Sequence, residues 1–406
     1  MSEFYIAITV IGASVLLLAL VSRPIERTPL APPLVMMLIG IALGPVALDL
    51  LDPAQWGNPY LILEEAARIT LAIAVMGIAL RLPRGFVLRE WQTLAVLLCL
   101  VMPLMWLVSG LSAYWIFEVS LLVALLLGAT LAPTDPVVAT SVVTGSVAKK
   151  NLPKHVRHTI SAESGSNDGL AYLLLMLPIL LLTRPEQTAL RQWLVQTLLV
   201  EIAGAVVLGV LLGLLAGYFL ERGEDKENLE RSSFLGYTLA LTLLALGVAK
   251  LVHVEEILTV FVTGLAFDHL VRARERAEEE NVQEAVNSFF TLPVFALFGL
   301  MLPWEAWYEL GWKGLLLAVT ILFLRRLPAV LLVYRFAPLI EKRDAWLVGW
   351  FGPLGLAALF YATLAMKHTD EGEFIWATTT LLVFTSVLVH GLTASPLAKQ
   401  YGRKFR

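Results

Sequence analysis

Three groups of polar residues interrupt a strongly apolar chain, and together they have the chemistry of a site for a small cation. The first is Gly128-Ala129-Thr130-Leu131-Ala132-Pro133-Thr134-Asp135-Pro136-Val137, which sets a carboxylate between two prolines. Each proline removes a backbone donor and clashes with the preceding turn, so a helix should open here and leave carbonyls free around Asp135. Free carbonyls beside a carboxylate suit a hard cation. The second group is Ser161-Ala162-Glu163-Ser164-Gly165-Ser166-Asn167-Asp168-Gly169-Leu170. At helical spacing Ser164 and Asp168 share one stripe, while Glu163 and Asn167 share the next. One face can therefore meet a cation while the other ties the helix to its neighbours. The third group, Arg325-Arg326-Leu327-Pro328, puts two cations in an apolar run, where they need an anionic partner, with Glu163 the leading candidate. Two alternatives stay open: segment 161–169 as a cytoplasmic loop, and the arginines at a helix end, snorkelling to the interface.

The elements that hold these residues follow from composition. Of 406 residues, 58% are hydrophobic and 16% charged, against about 25% charged in an average soluble domain, and the mean hydropathy is +0.76. That balance excludes an ordinary soluble protein, and a net charge of -3 leaves no basic surplus for nucleic acid. The apolar residues fall in runs of about 20, the length that crosses a bilayer as a helix. Thirteen candidate spans result, roughly 4–22, 31–50, 60–80, 92–115, 119–146, 155–182, 192–220, 233–251, 254–271, 284–302, 312–335, 344–366 and 374–396. A charge at the centre of a span costs roughly 2.5–3.5 kcal/mol, so carboxylates in the fifth and sixth and arginines in the eleventh point to function. The twelfth span carries a further interruption, Gly349-Trp350-Phe351-Gly352-Pro353-Leu354-Gly355.

With helix 7 as a connector, helices 1–6 and 8–13 form two halves in which the broken helices 5 and 12 correspond. Matching interruptions are the sequence mark of an inverted-repeat transporter with its site at the midplane. The expectation is an all-α polytopic membrane protein of one domain over 1–406. Its first repeat covers about 1–183, a linker helix about 190–220, and its second repeat about 233–398. The charge pattern orients it: one set of loops holds 22 Lys and Arg and the other 5, which puts the N-terminus outside and the C-terminus in the cytoplasm. The first span lacks a basic n-region and a cleavage site and reads as a retained helix. The single cysteine, Cys99, reads as a buried small hydrophobe.

Thr134-Asp135-Pro136 and Glu163-Ser164-x-x-Asn167-Asp168 resemble the paired motifs of the monovalent cation/proton antiporters, the family of the NhaP-type and animal sodium/proton exchangers. The fuller strings 162–169 and 349–355 look most like the branch of the fungal plasma-membrane antiporters. The resemblance implies that Asp135 and Asp168 bind the cation, with Thr134 and Ser164 completing its shell. Asn167 would hold helix 6 against the opened helix 5. Glu163 would pair with an arginine of helix 11, where the family pattern Arg-x-x-x-Val fits Arg326 with Val330 better than Arg325. One departure is Leu354, where many relatives carry arginine, so the protein does without that group or moves it. The chain ends about ten residues after the last span, which implies no tail-mediated regulation. A homodimer in the cell membrane is expected from the family alone.

Out of water a carboxylate favours its protonated form, and an arriving cation favours the charged one, so Asp168 could trade one for the other. With Asn167 beside it and arginines that do not release protons, one proton per cation is the simplest count. No cofactor is implied beyond the transported ions, sodium first, lithium or potassium as alternatives. The rival readings are a cation channel, for which no repeated acidic rings occur, and an intramembrane hydrolase, for which no Gly-x-Ser-x-Gly surrounds Ser164. Weaker candidates are His155 and His158 in a cytoplasmic loop as pH sensors or solvated residues, and His253, Glu255 and Glu256 as an outer cation funnel or interface residues. Trp304, Trp307, Tyr308 and Trp312 suggest an aromatic belt, and the polar stretches 221–232 and 272–284 solvated connectors.

Overall fold

Every regular element among the described residues is a helix, which is what an apolar chain in hydrocarbon requires, because a helix satisfies its backbone hydrogen bonds within one segment. The protein is an all-helical, polytopic membrane protein. The computed structural model describes residues 30–135, 145–223, 231–270 and 273–405, with Gly12, Leu16 and Val138. Apart from Gly12 and Leu16, the expected first span lies outside these residues, as do Pro136 and most of the stretch after Asp135.

The main helices are α1 (Pro32–Leu43), α2 (Pro59–Arg81), α3 (Trp91–Phe117), α4 (Leu121–Thr130), α5 (Lys154–Thr183), α6 (Glu186–Arg222) and α7 (Arg231–Leu251). They continue with α8 (Glu256–Leu270), α9 (Ala273–Leu300), α10 (Trp304–Leu324), α11 (Lys342–Trp350), α12 (Leu356–His368) and α13 (Gly372–Phe405). Local chemistry sets several starts. Asn58 accepts the N–H groups of Tyr60 and Leu61 ahead of Pro59 in α2, and Ser120 accepts that of Val123 in α4.

Between helices in lipid the hydrophobic drive is weak, so close packing depends on small residues. Gly209, Gly213 and Gly217, spaced by four on α6, lie against α8. A Cβ on the first two would strike the carbonyls of Thr259 and Thr263, and one on Gly217 the Leu270 side chain.

The polar sequences fall where the helices are interrupted, with one exception. α4 stops at Thr130 and the chain unwinds through Leu131–Asp135. α11 ends at Trp350, residues 351–355 are non-helical, and α12 begins at Leu356. α10 breaks at Arg325 and Arg326 before a short helix, Leu327–Val333, with Pro328 in its first turn. The exception is α5, a continuous helix whose residues 159–169 are all buried, so 161–169 is a helix interior and the loop alternative is excluded.

Other expectations need correction. Cys99 is exposed on the outside of the bundle, in the turn Leu97–Val101, which winds as π-helix. The helix expected from 284 begins already at Ala273. His155 and His158 lie on α5, not in a loop. The His158 ring packs edge-on against Phe86 at 5.6 Å. His155 Nε2 lies 2.9 Å from Asp344 Oδ2, and Asp344 also accepts the Tyr401 hydroxyl. The aromatic group divides: Trp307 donates to the Ala377 carbonyl at 3.0 Å, while Tyr308 and Trp312 are exposed.

Candidate cation site

The unwound segment after α4 is fastened to α5 by a small hydrogen-bonded ring. The Thr134 N–H donates to Asn167 Oδ1 (3.2 Å), the Asn167 amide donates to Thr134 Oγ1 (2.9 Å), and that hydroxyl lies 3.1 Å from Ser164 Oγ. All three residues are buried. An asparagine can close such a ring because it both donates and accepts, which a charged aspartate at the same position could not do.

The two breaks then meet each other. The Asp135 N–H donates to the Pro353 carbonyl at 2.8 Å, and Asp135 Oδ2 accepts the Leu356 N–H at 2.9 Å. Asp135 therefore caps the N-terminus of α12 from another segment of the chain, placing a carboxylate at the positive end of the helix dipole. Gly355 makes this possible, since a Cβ there would overlap the Asp135 carboxyl group.

The opposite charge is placed by the same logic. Arg325 donates to the carbonyls of Leu131, Pro133 and Gly352. These are acceptors released just after α4 and α11, so one guanidinium serves two helix C-termini. Leu354 is buried, and its N–H donates to Ser386 Oγ at 2.8 Å. The arginine contact with the helix 12 break thus comes from Arg325. Arg326 turns the other way: its guanidinium meets Glu163 with both terminal nitrogens, at 2.5 and 2.6 Å, and its Nε donates to the Val348 carbonyl at 3.0 Å. Both arginines are 3% exposed, which excludes snorkelling.

Asp168 stands apart from these ties. It is 3% exposed, and among the described residues its Oδ1 has no hydrogen-bond partner. Its backbone carbonyl accepts the Tyr361 hydroxyl. A buried carboxylate oxygen without a donor is costly unless a proton or a cation occupies it. Asp135 lies near enough for the two charges to interact.

Residues 12–400 match the family described as sodium/hydrogen exchanger, transmembrane. The chain belongs to this family. It is 30% identical, over 96% of its length, to a Na(+)/H(+) antiporter of Saccharomyces cerevisiae, and 32% identical, over 96%, to a probable Na(+)/H(+) antiporter of Schizosaccharomyces pombe. It covers 43% and 55% of those proteins, about half the length of such relatives. A K(+)/H(+) antiporter NhaP2 of Shewanella is 27% identical over 72% of this chain and is covered to 50%. The fold matches the sodium proton antiporter MjNhaP1 of Methanocaldococcus jannaschii at pH 8, with a TM-score of 0.75 and 20% identity over 96% of this chain and 99% of that one.

Sequence reasoning about this exchanger-family chain missed several charged groups. Arg68 of α2 pairs with Glu64 and Glu65 on its own helix and with Glu256 of α8, while Lys367 of α12 reaches Glu64. The spacing of Glu64, Glu65 and Arg68 was a readable signal, since residues three and four apart share a helix face. Tyr361, Asp344 and Tyr401 carried none, because their partners are far away in sequence.

Proposed function

We propose that the chain exchanges a monovalent cation, sodium first, for a proton across the membrane, one for one and without net charge. The observation that carries this reading is Asp168, whose buried carboxylate has one oxygen without a partner among the described residues, beside an opened helix. Such a group holds either a proton or a dehydrated cation, and competition between them is exchange. Thr134, Ser164 and Asp135 lie close by to contribute oxygens to the cation, while Asn167, Glu163, Arg326 and Arg325 keep the two breaks in place. Alternating access then moves one bundle against the other around the site. The names of the relatives support a cation/proton antiporter and divide over the ion: the two yeast proteins are called Na(+)/H(+) antiporters and the Shewanella protein a K(+)/H(+) antiporter.

The same reading takes the chain as a homodimer in the cell membrane, N-terminus outside, with thirteen spans in two inverted repeats about 1–183 and 233–398 joined by the helix at 190–220. A channel would need a continuous water path past Asp168, and a hydrolase would need a nucleophile and base in contact, whereas the Ser164 hydroxyl is paired with Thr134. Purified protein in liposomes loaded with a pH-sensitive dye tests the reading. Sodium or potassium addition should collapse a preset proton gradient without current. A current that accompanies cation flux, or no cation-dependent proton movement, would overturn it.

A further inference from the structure

A cavity of about 370 Å³ opens at the end of the bundle that carries the turn between α7 and α8. Its walls include Arg68, Tyr172, Glu201, Lys250, His253 and Glu255. This is the end opposite Lys149, Lys150 and Lys154, and the volume leaves room for several waters. The acidic groups around it are not equivalent. Glu256 is held by Arg68 Nε at 3.0 Å and Lys250 Nζ at 3.1 Å, and Glu64 by Arg68 at 2.8 Å and Lys367 at 2.5 Å.

Glu255 is different. It is 6% exposed, and among the described residues no Lys, Arg or His side chain pairs with it. Its Oε2 accepts the Leu258 N–H at 2.6 Å in the first turn of α8. The same oxygen lies 2.8 Å from where a Cβ on Gly169 would stand, one residue from Asp168. Glu255 thus lines the cavity on one side and presses on the backbone next to Asp168 on the other. A helix cap alone would be met by a shorter Ser, Thr, Asp or Asn without burying a charge that has no counter-ion.

We propose that Glu255 is a second exchange carboxylate, a transit site at which a monovalent cation arriving through this cavity loses water and trades places with a proton before reaching Asp168. The inference rests on the exchange reading above and adds a residue and a route to it. Glu64 and Glu256 are neutralised in ion pairs, whereas Glu255 and Glu201, whose Oε1 accepts from the Gln196 amide at 3.3 Å, have no basic partner among the described residues; of these two acids it is Glu255 that touches the backbone beside Asp168.

Glu255→Gln separates this role from capping, because the amide oxygen still accepts the Leu258 N–H while the group can no longer exchange charge. Exchange is read in proteoliposomes from the initial rate and the half-saturating sodium concentration, with thermal unfolding as the fold control. The expected result is a variant that melts like the native protein but exchanges about a hundredfold more slowly, the scale of a lost proton-transfer group. Native exchange together with an unaltered rate and half-saturation in the variant would reduce Glu255 to a cap and overturn this inference alone. Absence of exchange in the native protein would overturn the exchange reading as well. Should Glu255→Gln not fold, His253→Cys in a Cys99→Ala background provides the second test. A bulky cationic thiol reagent on that cysteine should block exchange, measured on the same preparation before and after modification. Unchanged exchange after complete modification would remove the cavity from the path.

Discussion

The Asp135 carboxylate accepts the backbone N–H of Leu356, 221 residues away, at 2.9 Å. The break of one helix is thereby the cap of another, and the positive end of α12 is answered by a carboxylate within the membrane. Asp135→Asn should keep this cap, since an amide oxygen accepts the same N–H, and so unfold close to the native temperature while losing exchange. Asp135→Ala should lose the cap as well, at about 1 kcal/mol of further stability. A thermal shift compared with dye-detected exchange checks both, and native exchange by Asp135→Asn would show that its charge is dispensable.

Gly355→Ala should damage the same contact from the other side. The added methyl overlaps the Asp135 carboxyl group, and overpacking of this kind costs about 1–3 kcal/mol. The variant is expected to melt earlier than the native protein and to exchange poorly. Native behaviour in both assays would mean that the two breaks can separate freely.

Asp168→Asn should abolish exchange while leaving a folded, inserted protein, because the isostere keeps volume and loses the ability to trade charge. Size-exclusion elution and melting report the fold, and the dye reports exchange. Folded protein that still exchanges at the native rate would remove Asp168 from the site.

Glu163 and Arg326 form a buried, two-point ion pair. Removing one partner strands the other charge at about 3–5 kcal/mol, so Glu163→Ala and Arg326→Ala should each destabilise strongly, and the double variant should recover part of the loss. Arg325→Ala should be destabilising too, through the stranded carbonyls of Leu131 and Gly352, with a smaller coupling to Glu163. Additive losses in the Glu163 and Arg326 cycle would contradict the pairing.

One-for-one exchange should ignore membrane voltage, whereas one net charge moved couples to it by about 2.3 kcal/mol per 100 mV. Proteoliposomes held at a valinomycin potential, without sodium or pH gradients, decide between these once transport of potassium by the protein itself has been checked. Sustained sodium accumulation would show that a second group, with Asp135 the first suspect, also carries a proton.

Residue types along the chain were enough to determine that this is an all-helical membrane protein and where its polarity is concentrated. Prolines and glycines cannot continue a helix without loss, so the breaks at 131–135 and 351–355 were written locally. The polar interior of α5 was legible because the apolar half from Leu170 to Leu182 is too short to cross a bilayer alone. Family membership was legible as well, because Thr134-Asp135-Pro136 and Glu163 to Asp168 occur together at a fixed distance.

The family pattern Arg-x-x-x-Val favoured Arg326 for Glu163, but tertiary structure alone decided what Arg325 holds. Arg325 and Arg326 are adjacent, and a chain that leaves helical geometry between them sends their side chains in directions no periodicity predicts: one to the carbonyl ends of α4 and α11, the other to Glu163. It also decided that Asp135 caps α12 and that Glu255, uncompensated by any basic side chain among the described residues, stands between a cavity and Asp168. Cys99 faces outward for a related reason, since a uniformly apolar run does not mark which of its faces meets the bundle. Local propensity belongs to neighbouring residues and can be read from their order. The pairing of charges and helix ends depends on which distant segments the fold brings together, and that is fixed only when the whole bundle packs.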